Sequence, residues 1–230
     1  MGAGCGLLAD KIEFVENLIM IQKAIIAVAL LFGSQLAMAQ AEPYQEGVHY
    51  FKIGQVPANT GSDSVEVTEL FSYACSHCNT MEPYLQSWNQ SKPDNVVFNR
   101  IGVAFGRRAW EMMARAYITA EMLGIVEETH PAMMDAIWKQ GKQFRSLDDL
   151  ADFYSGFGVE KSTFLANYNS FAADSQLRKS QRDVQLFGIT GTPSLVVNRK
   201  YRIQSSKDVK GFNDMLDIVN YLVVKETASP

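Results

Sequence analysis

Cys75 and Cys78 enclose the dipeptide Ser76-His77, and a C-x-x-C spacing lets two sulfurs meet within one helical turn. Such a pair holds or releases two electrons as it passes between disulfide and dithiol. A bridge across so short a loop removes little chain entropy, so its value is chemical. The apolar, β-prone run from Glu69 to Ala74 leads straight into Cys75, which places that residue where a buried strand gives way to a helix. There, unpaired backbone N–H groups and the positive end of the helix dipole stabilise a thiolate. His77, when protonated, adds positive charge near the Cys75 sulfur. Cys75 is therefore expected to be the exposed nucleophile and leaving group, and Cys78 the shielded resolving thiol. A stabilised Cys75 thiolate favours the dithiol, which makes the disulfide form an oxidant.

Two further features accompany the pair. Glu69 is a carboxylate inside the strand that delivers the cysteines, where a buried acid can relay the proton of Cys78. The plainer alternatives are a place on an exposed sheet edge or an ion pair with Arg100 on the neighbouring strand. The segment Gly188-Ile189-Thr190-Gly191-Thr192-Pro193 precedes another strand. A cis Thr192-Pro193 bond would turn the backbone toward the cysteines, letting Thr192 offer main-chain groups to a peptide; the alternative is an ordinary trans-proline turn. Zinc would need two more ligands from His49, His77, His130 or carboxylates. No second C-x-x-C and no H-x₃-H is present, so neither metal nor cofactor is expected.

The elements that position these residues follow from periodicity. Tyr50–Ile53 reads as a short strand, and Val65–Phe71 as a central strand covered on both faces. Met81, Leu85 and Trp88 recur at helical spacing after Cys78, and Val96–Ile101 is a third strand, giving a β-α-β unit. From Arg107 to Gln185 the pattern becomes helical. One helix covers Arg108–Leu123 and stops at Gly124; another is expected to open at His130-Pro131; Ser146-Leu147-Asp148-Asp149 reads as a capping box; a further helix runs from about Phe171 to Phe187. Strands return at Ser194–Asn198 and Tyr201–Ile203, joined by Asn198-Arg199-Lys200, before a last amphipathic helix carrying Phe212, Met215, Leu216, Val219 and Leu222. The late strands have no sheet of their own to close, so the chain reads as an α/β fold in which one small sheet is split by a helical insertion.

The N-terminus speaks to compartment. After Met20 come Lys23, nine apolar residues from Ala24 to Phe32, and the triplet Ala37-Met38-Ala39, the layout of a cleaved secretory signal. Residues 1–19 contain Asp10, Glu13 and Glu16, which suit no signal, so translation is expected to start at Met20, with Cys5 in an extension before it. Cleavage after Ala39 leaves 191 of the 230 residues, enough for one domain with an insertion. The expected parts are 1–39 as extension and signal, 40–106 and 186–230 as the two portions of the sheet domain, and 107–185 as the insertion. Removing Lys11, Lys23, Asp10, Glu13 and Glu16 from 21 basic and 25 acidic residues leaves 19 against 22, without a run of like charge. Nucleic acid is thus no expected partner. Beyond the signal there is no second long apolar segment, so a soluble protein in an oxidising compartment is expected.

Glu69 to Cys78, the Thr192-Pro193 loop and the strand–insertion–strand order together resemble the DsbA-type periplasmic thiol:disulfide oxidoreductases, over nearly all of the chain after the signal. The resemblance implies a thioredoxin fold with an inserted helical domain. It implies a monomer that passes disulfides from Cys75–Cys78 to unfolded exported proteins with free cysteines, and is reoxidised by a DsbB-like inner-membrane protein linked to quinones. Pro83 matches the proline that kinks the active-site helix, and Arg100 falls where the family has a basic partner for the buried acid. The dipeptide departs from the family's usual Pro-His: His77 keeps the oxidising character and Ser76 leaves its strength open, whereas Thr192, not the commonest residue before the proline, leaves room for a reductase or isomerase. A peptide-binding chaperone with incidental cysteines is a third possibility, which Cys75→Ser would separate.

Overall fold

The short strand Phe51–Lys52 (β1) and the longer Val65–Phe71 (β2) enter a five-stranded sheet of order β1-β5-β4-β2-β3. The other members are Val96–Gly102 (β3), Ser194–Val197 (β4) and Tyr201–Gln204 (β5). A computed structural model describes residues 42–54 and 64–228, and Tyr44 onward forms one compact unit. The expected signal, start codon and cleavage site lie outside the described residues. Among the described residues, no helix is long and apolar enough to cross a membrane.

β2 is central, and it is buried on both faces although Thr68 and Glu69 lie within it. It runs parallel to β3 and antiparallel to β4, with Glu69 paired in register to Arg100 on one side and Leu195 on the other. A parallel neighbour requires a crossover, and the helix Ser76–Ser91 (α1) supplies it. Its buried stripe of Cys78, Met81, Glu82, Leu85 and Trp88 follows helical spacing. Met81, Leu85 and Trp88 pack with Val65 and Val67 of β2 and with Met215, Val219 and Leu222 of the last helix, Phe212–Thr227, which becomes α7 in chain order. Trp88 Nε1 donates to Asn220 Oδ1 at 2.8 Å, tying the two helices. The β4–β5 hairpin turns on Asn198 and Arg199, both at positive φ (50° and 57°). Lys200 N–H donates to the Val197 carbonyl at 2.9 Å, closing a turn whose two positive-φ residues suit the right-handed twist of the strands, with Asn198, Arg199 and Lys200 forming the three-residue loop.

Five helices stand between β3 and β4: Arg108–Met122 (α2), Val126–Trp138 (α3), Leu147–Ser155 (α4), Lys161–Tyr168 (α5) and Phe171–Leu186 (α6). The Ser146 capping box is present, with the Ser146 hydroxyl accepting from Asp149 N–H and the Asp149 carboxylate accepting from Ser146 N–H. One sequence expectation needs correction. The helix expected to open at His130-Pro131 begins at Val126, with Glu127 and Glu128 in its first turn, where the dipole favours acids. Pro131 therefore sits inside a helix and omits one backbone bond. α5 had no place of its own in the sequence pattern, because Phe164 is its one buried residue.

The insertion is pressed closely onto the sheet. A Cβ at Gly102 would stand 2.9 Å from both Cα and Cβ of Ala114, so the end of β3 approaches α2 where only glycine fits. The insertion's core contains Tyr117, Met133, Met134, Leu150, Tyr154 and Phe164, and it extends into the sheet domain through Phe71, Tyr73 and Cys78.

Candidate functional site: a dithiol over a buried ion network

Cys75 is the N-cap of α1, with extended backbone angles (φ −104°, ψ 114°). Cys78, one turn in, is fully buried, whereas Cys75 is half-buried; both are free thiols. The Thr192-Pro193 bond is cis, and it carries the Thr192 carbonyl to 3.3 Å from Cys75 Sγ, which donates to it as a thiol. The two halves of the sheet domain, separated by the whole insertion, thus meet at one sulfur.

The two sulfurs are electrostatically unequal. Cys75 is held down at about 5, first by the hydrogen bond it accepts from the Cys78 thiol, against a rise from its own burial. The Thr192 side chain and the backbone N–H groups of Cys78 and His77 lower it further. Cys78 is pushed far above the ordinary thiol range, because its proton is engaged by Cys75, because it is buried, and because Glu69 adds negative charge. His77 is exposed and contributes to the sulfur through its backbone. Its side chain lines a groove of about 350 Å³ together with Thr190, Gly191, Thr192, Pro193, Gln204 and Ser205.

Beneath the pair lies a chain of buried polar groups. Glu69 is fully buried, and its Oε2 accepts from Arg100 Nε at 2.8 Å. It is therefore at once the buried acid and the ion-pair partner, the two readings that the sequence set against each other. Its Oε1 has no hydrogen-bond partner among the described residues. Burial raises the Glu69 carboxyl to about 7, with the Glu82 charge adding to the rise and Arg100 opposing it. Arg100 Nη2 also donates to both oxygens of Glu82 at 3.2 Å. Glu82 meets His130 Nε2 at 3.2 Å, and His130 Nδ1 meets the Tyr73 hydroxyl at 3.0 Å. Trp138 Nε1 donates to the Tyr73 carbonyl at 2.9 Å. Burial pushes Glu82 up, but His130, Arg100 and Gln86 outweigh it and hold the carboxyl below its ordinary value.

Sequence reasoning singled out neither Glu82 nor Tyr73, and considered His130 only as a metal ligand. Glu82 carried a signal: a charge on the apolar stripe of α1, four residues from Cys78 and three from Leu85. His130 shares the buried face of α3 with Met133 and Met134, which the late helix start concealed. Among the described residues no cluster of His, Cys, Asp and Glu is arranged to hold a metal.

A C-x-x-C pair capping the helix after a parallel β-strand, faced by a cis-proline from an antiparallel strand, defines the thioredoxin-fold dithiol proteins, here in the form with a helical insertion. Residues 66–217 match the DSBA-like thioredoxin domain, and the chain belongs to that family. It is 35% identical over 215 residues to the thiol:disulfide interchange protein DsbA of Pseudomonas aeruginosa, covering 94% of this chain and 99% of that one. The protein of the same name from Pseudomonas syringae pv. tomato is 33% identical, with 94% and 98% covered. The crystal structure of Pseudomonas aeruginosa DsbA superposes with a TM-score of 0.75 at 34% identity, over 82% of this chain and 97% of that one. An oxidoreductase DsbA from Xylella fastidiosa gives 0.73 at 32% identity, over 79% and 96%.

Proposed function

We propose that this protein is a thiol:disulfide oxidoreductase that introduces disulfide bonds into exported proteins. The observation that carries the reading is the contrast between the two sulfurs: one half-buried, hydrogen-bonded and held at about 5, the other sealed in the core. In the oxidised protein a client thiolate attacks Cys75 Sγ, the Cys75–Cys78 bond breaks, and Cys78 leaves with the electron pair and takes a proton. A second client thiolate then attacks the client sulfur of the mixed disulfide, and Cys75 leaves as a thiolate. Two electrons pass from client to protein, and the client gains one disulfide. The stabilised Cys75 thiolate makes it the better leaving group and favours this direction.

Glu69 is suited to exchange a proton with Cys78, since its carboxyl titrates near neutrality and has an unpartnered oxygen. The groove beside Thr192 and Pro193, with His77 on its rim, fits an extended client segment whose cysteine lies against Cys75. No metal or cofactor enters these steps. The signal-like segment ending at Ala39 supports export to the periplasm, with residues 40–106 and 186–230 forming the sheet domain around the 107–185 insertion. A DsbB-like membrane partner would restore the disulfide.

Mixing the oxidised protein with a reduced peptide containing two cysteines tests the reading. One peptide disulfide is expected for each protein disulfide consumed, and none from Cys75→Ser. A Cys75→Ser protein that still assists refolding at the natural rate would show a chaperone instead.

A further inference from the structure

The reaction above makes no use of His130, although this buried polar ring closes the ion network from the insertion's side. Its protonation pattern follows from its partners. Glu82 is held in its charged form and can only accept, so His130 Nε2 carries the hydrogen; the Tyr73 hydroxyl, whose own proton burial makes hard to lose, donates to Nδ1. Burial also favours the neutral ring. Glu82 is consequently claimed from two sides, by a neutral donor from α3 and by the Arg100 guanidinium from β3. Arg100 is itself divided between Glu82 and Glu69.

We propose that His130 is a positioning residue for the proton step at Cys78: by taking a share of Glu82 it leaves more of the Arg100 guanidinium to Glu69 than an unshared Glu82 would. The insertion thereby sets the proton affinity of an acid in the sheet domain that it does not touch through its own acids. The inference rests on the disulfide-exchange reading, in which Glu69 serves Cys78. Every charged or titratable group facing the network enters the balance. Glu69 faces Arg100, Glu82, Cys75 and Cys78; His130 faces Glu82, Tyr73, Arg100 and, on its own helix, Glu127. Tyr117, whose hydroxyl is linked to Glu121, adjoins both.

Two conservative variants divide the contacts of the ring. His130→Asn keeps an amide near the Nδ1 position, facing Tyr73, and loses the reach to Glu82; His130→Gln can place an N–H where Nε2 stands. The reading is the titration midpoint of the Glu69 carboxyl in the reduced full chain, followed by ¹³C NMR. The resonance is assigned by its loss in Glu69→Gln, which separates it from Glu121, also raised to about 7 by burial. His130→Asn should raise the midpoint by about 0.5 pH unit, because the unshared Glu82 charge then bears more fully on Glu69 and on Arg100. His130→Gln should leave it in place. A merely structural defect admits water and moves the midpoint down, toward an ordinary glutamate. A fall or no change in His130→Asn, or equal movement in both variants, overturns the proposal. Glu82→Gln should lower the midpoint by about 1 pH unit or more, since Arg100 then serves Glu69 alone; if it does not fall, the proposal fails whether or not the His130 variants fold. No client is needed for these readings. Loss of peptide oxidation by the unaltered protein would therefore count against the proposed function and leave the midpoints to judge His130.

Discussion

The sulfur of Cys75 lies 3.3 Å from the carbonyl oxygen of Thr192, 117 residues further along the chain. That contact joins the head of α1 to the loop before β4. It places the reactive atom against Thr192, one of the residues that line the groove where a client backbone would lie.

Alkylation of the reduced protein should therefore label Cys75 almost alone at mildly acid pH. Its rate should rise with a midpoint near pH 5, following the Cys75 thiolate. Peptide mapping after a short pulse checks this. Equal labelling of Cys78 would remove the assignment of nucleophile.

Cys78→Ala should accumulate mixed disulfides with clients that already carry a disulfide, because the Cys75 thiolate opens the client bond, one client sulfur leaves as a thiolate, and no Cys78 thiol remains to release the other. Non-reducing gels of the exported fraction would show the adducts. Their absence would mean that Cys75 is not the nucleophile.

Glu69→Gln should slow exchange and also change how stability depends on pH. The Glu69 carboxyl is raised in the folded protein to about 7 from 4.5, so its contribution is fully present below 4.5 and is lost as pH rises through 7. Between those values the natural reduced protein should lose on the order of 3 kcal/mol relative to the variant, which has no such proton to give up. Denaturant unfolding at pH 4.5 and pH 8 measures the difference; parallel curves would mean that Glu69 does not titrate in this range.

Ser76→Pro should move the redox equilibrium against glutathione while leaving Cys75 the more reactive thiol. Position 76 is the first residue of α1, where proline is tolerated. The N–H groups that stabilise the Cys75 sulfur come from His77 and Cys78 and survive the change. A reversed order of labelling would contradict this.

Gly102→Ala should destabilise the fold by about 1–3 kcal/mol through overpacking, since the new methyl group meets backbone as well as side chain of Ala114. Thermal unfolding would register it, and an unchanged midpoint would show that α2 can move away freely.

The fold was legible where chemistry and periodicity are local. The strand leading to Cys75, the stripe Met81-Leu85-Trp88, the Ser146 cap and the Asn198-Arg199 turn each carry their cause within a few residues. Glu69 was visible as a charge in an apolar strand, although the sequence posed burial and pairing with Arg100 as rivals when the register joins them. Glu82 and His130 were harder to read, because their partners lie on other elements. His130 also stands just before a proline that looks like a helix start and is a helix interior. The eight-residue α5 was missed because one buried phenylalanine makes no pattern.

Cys78 keeps company with Tyr117, Met133 and Met134 rather than with the residues that line the groove. On the proposed reading, the surface groove would select the client and the interior around Cys78 would set the driving force. Mutations that loosen the packing around Cys78 would then alter how strongly the protein oxidises before they alter what it binds, so the two properties of this dithiol are separable by position in the fold.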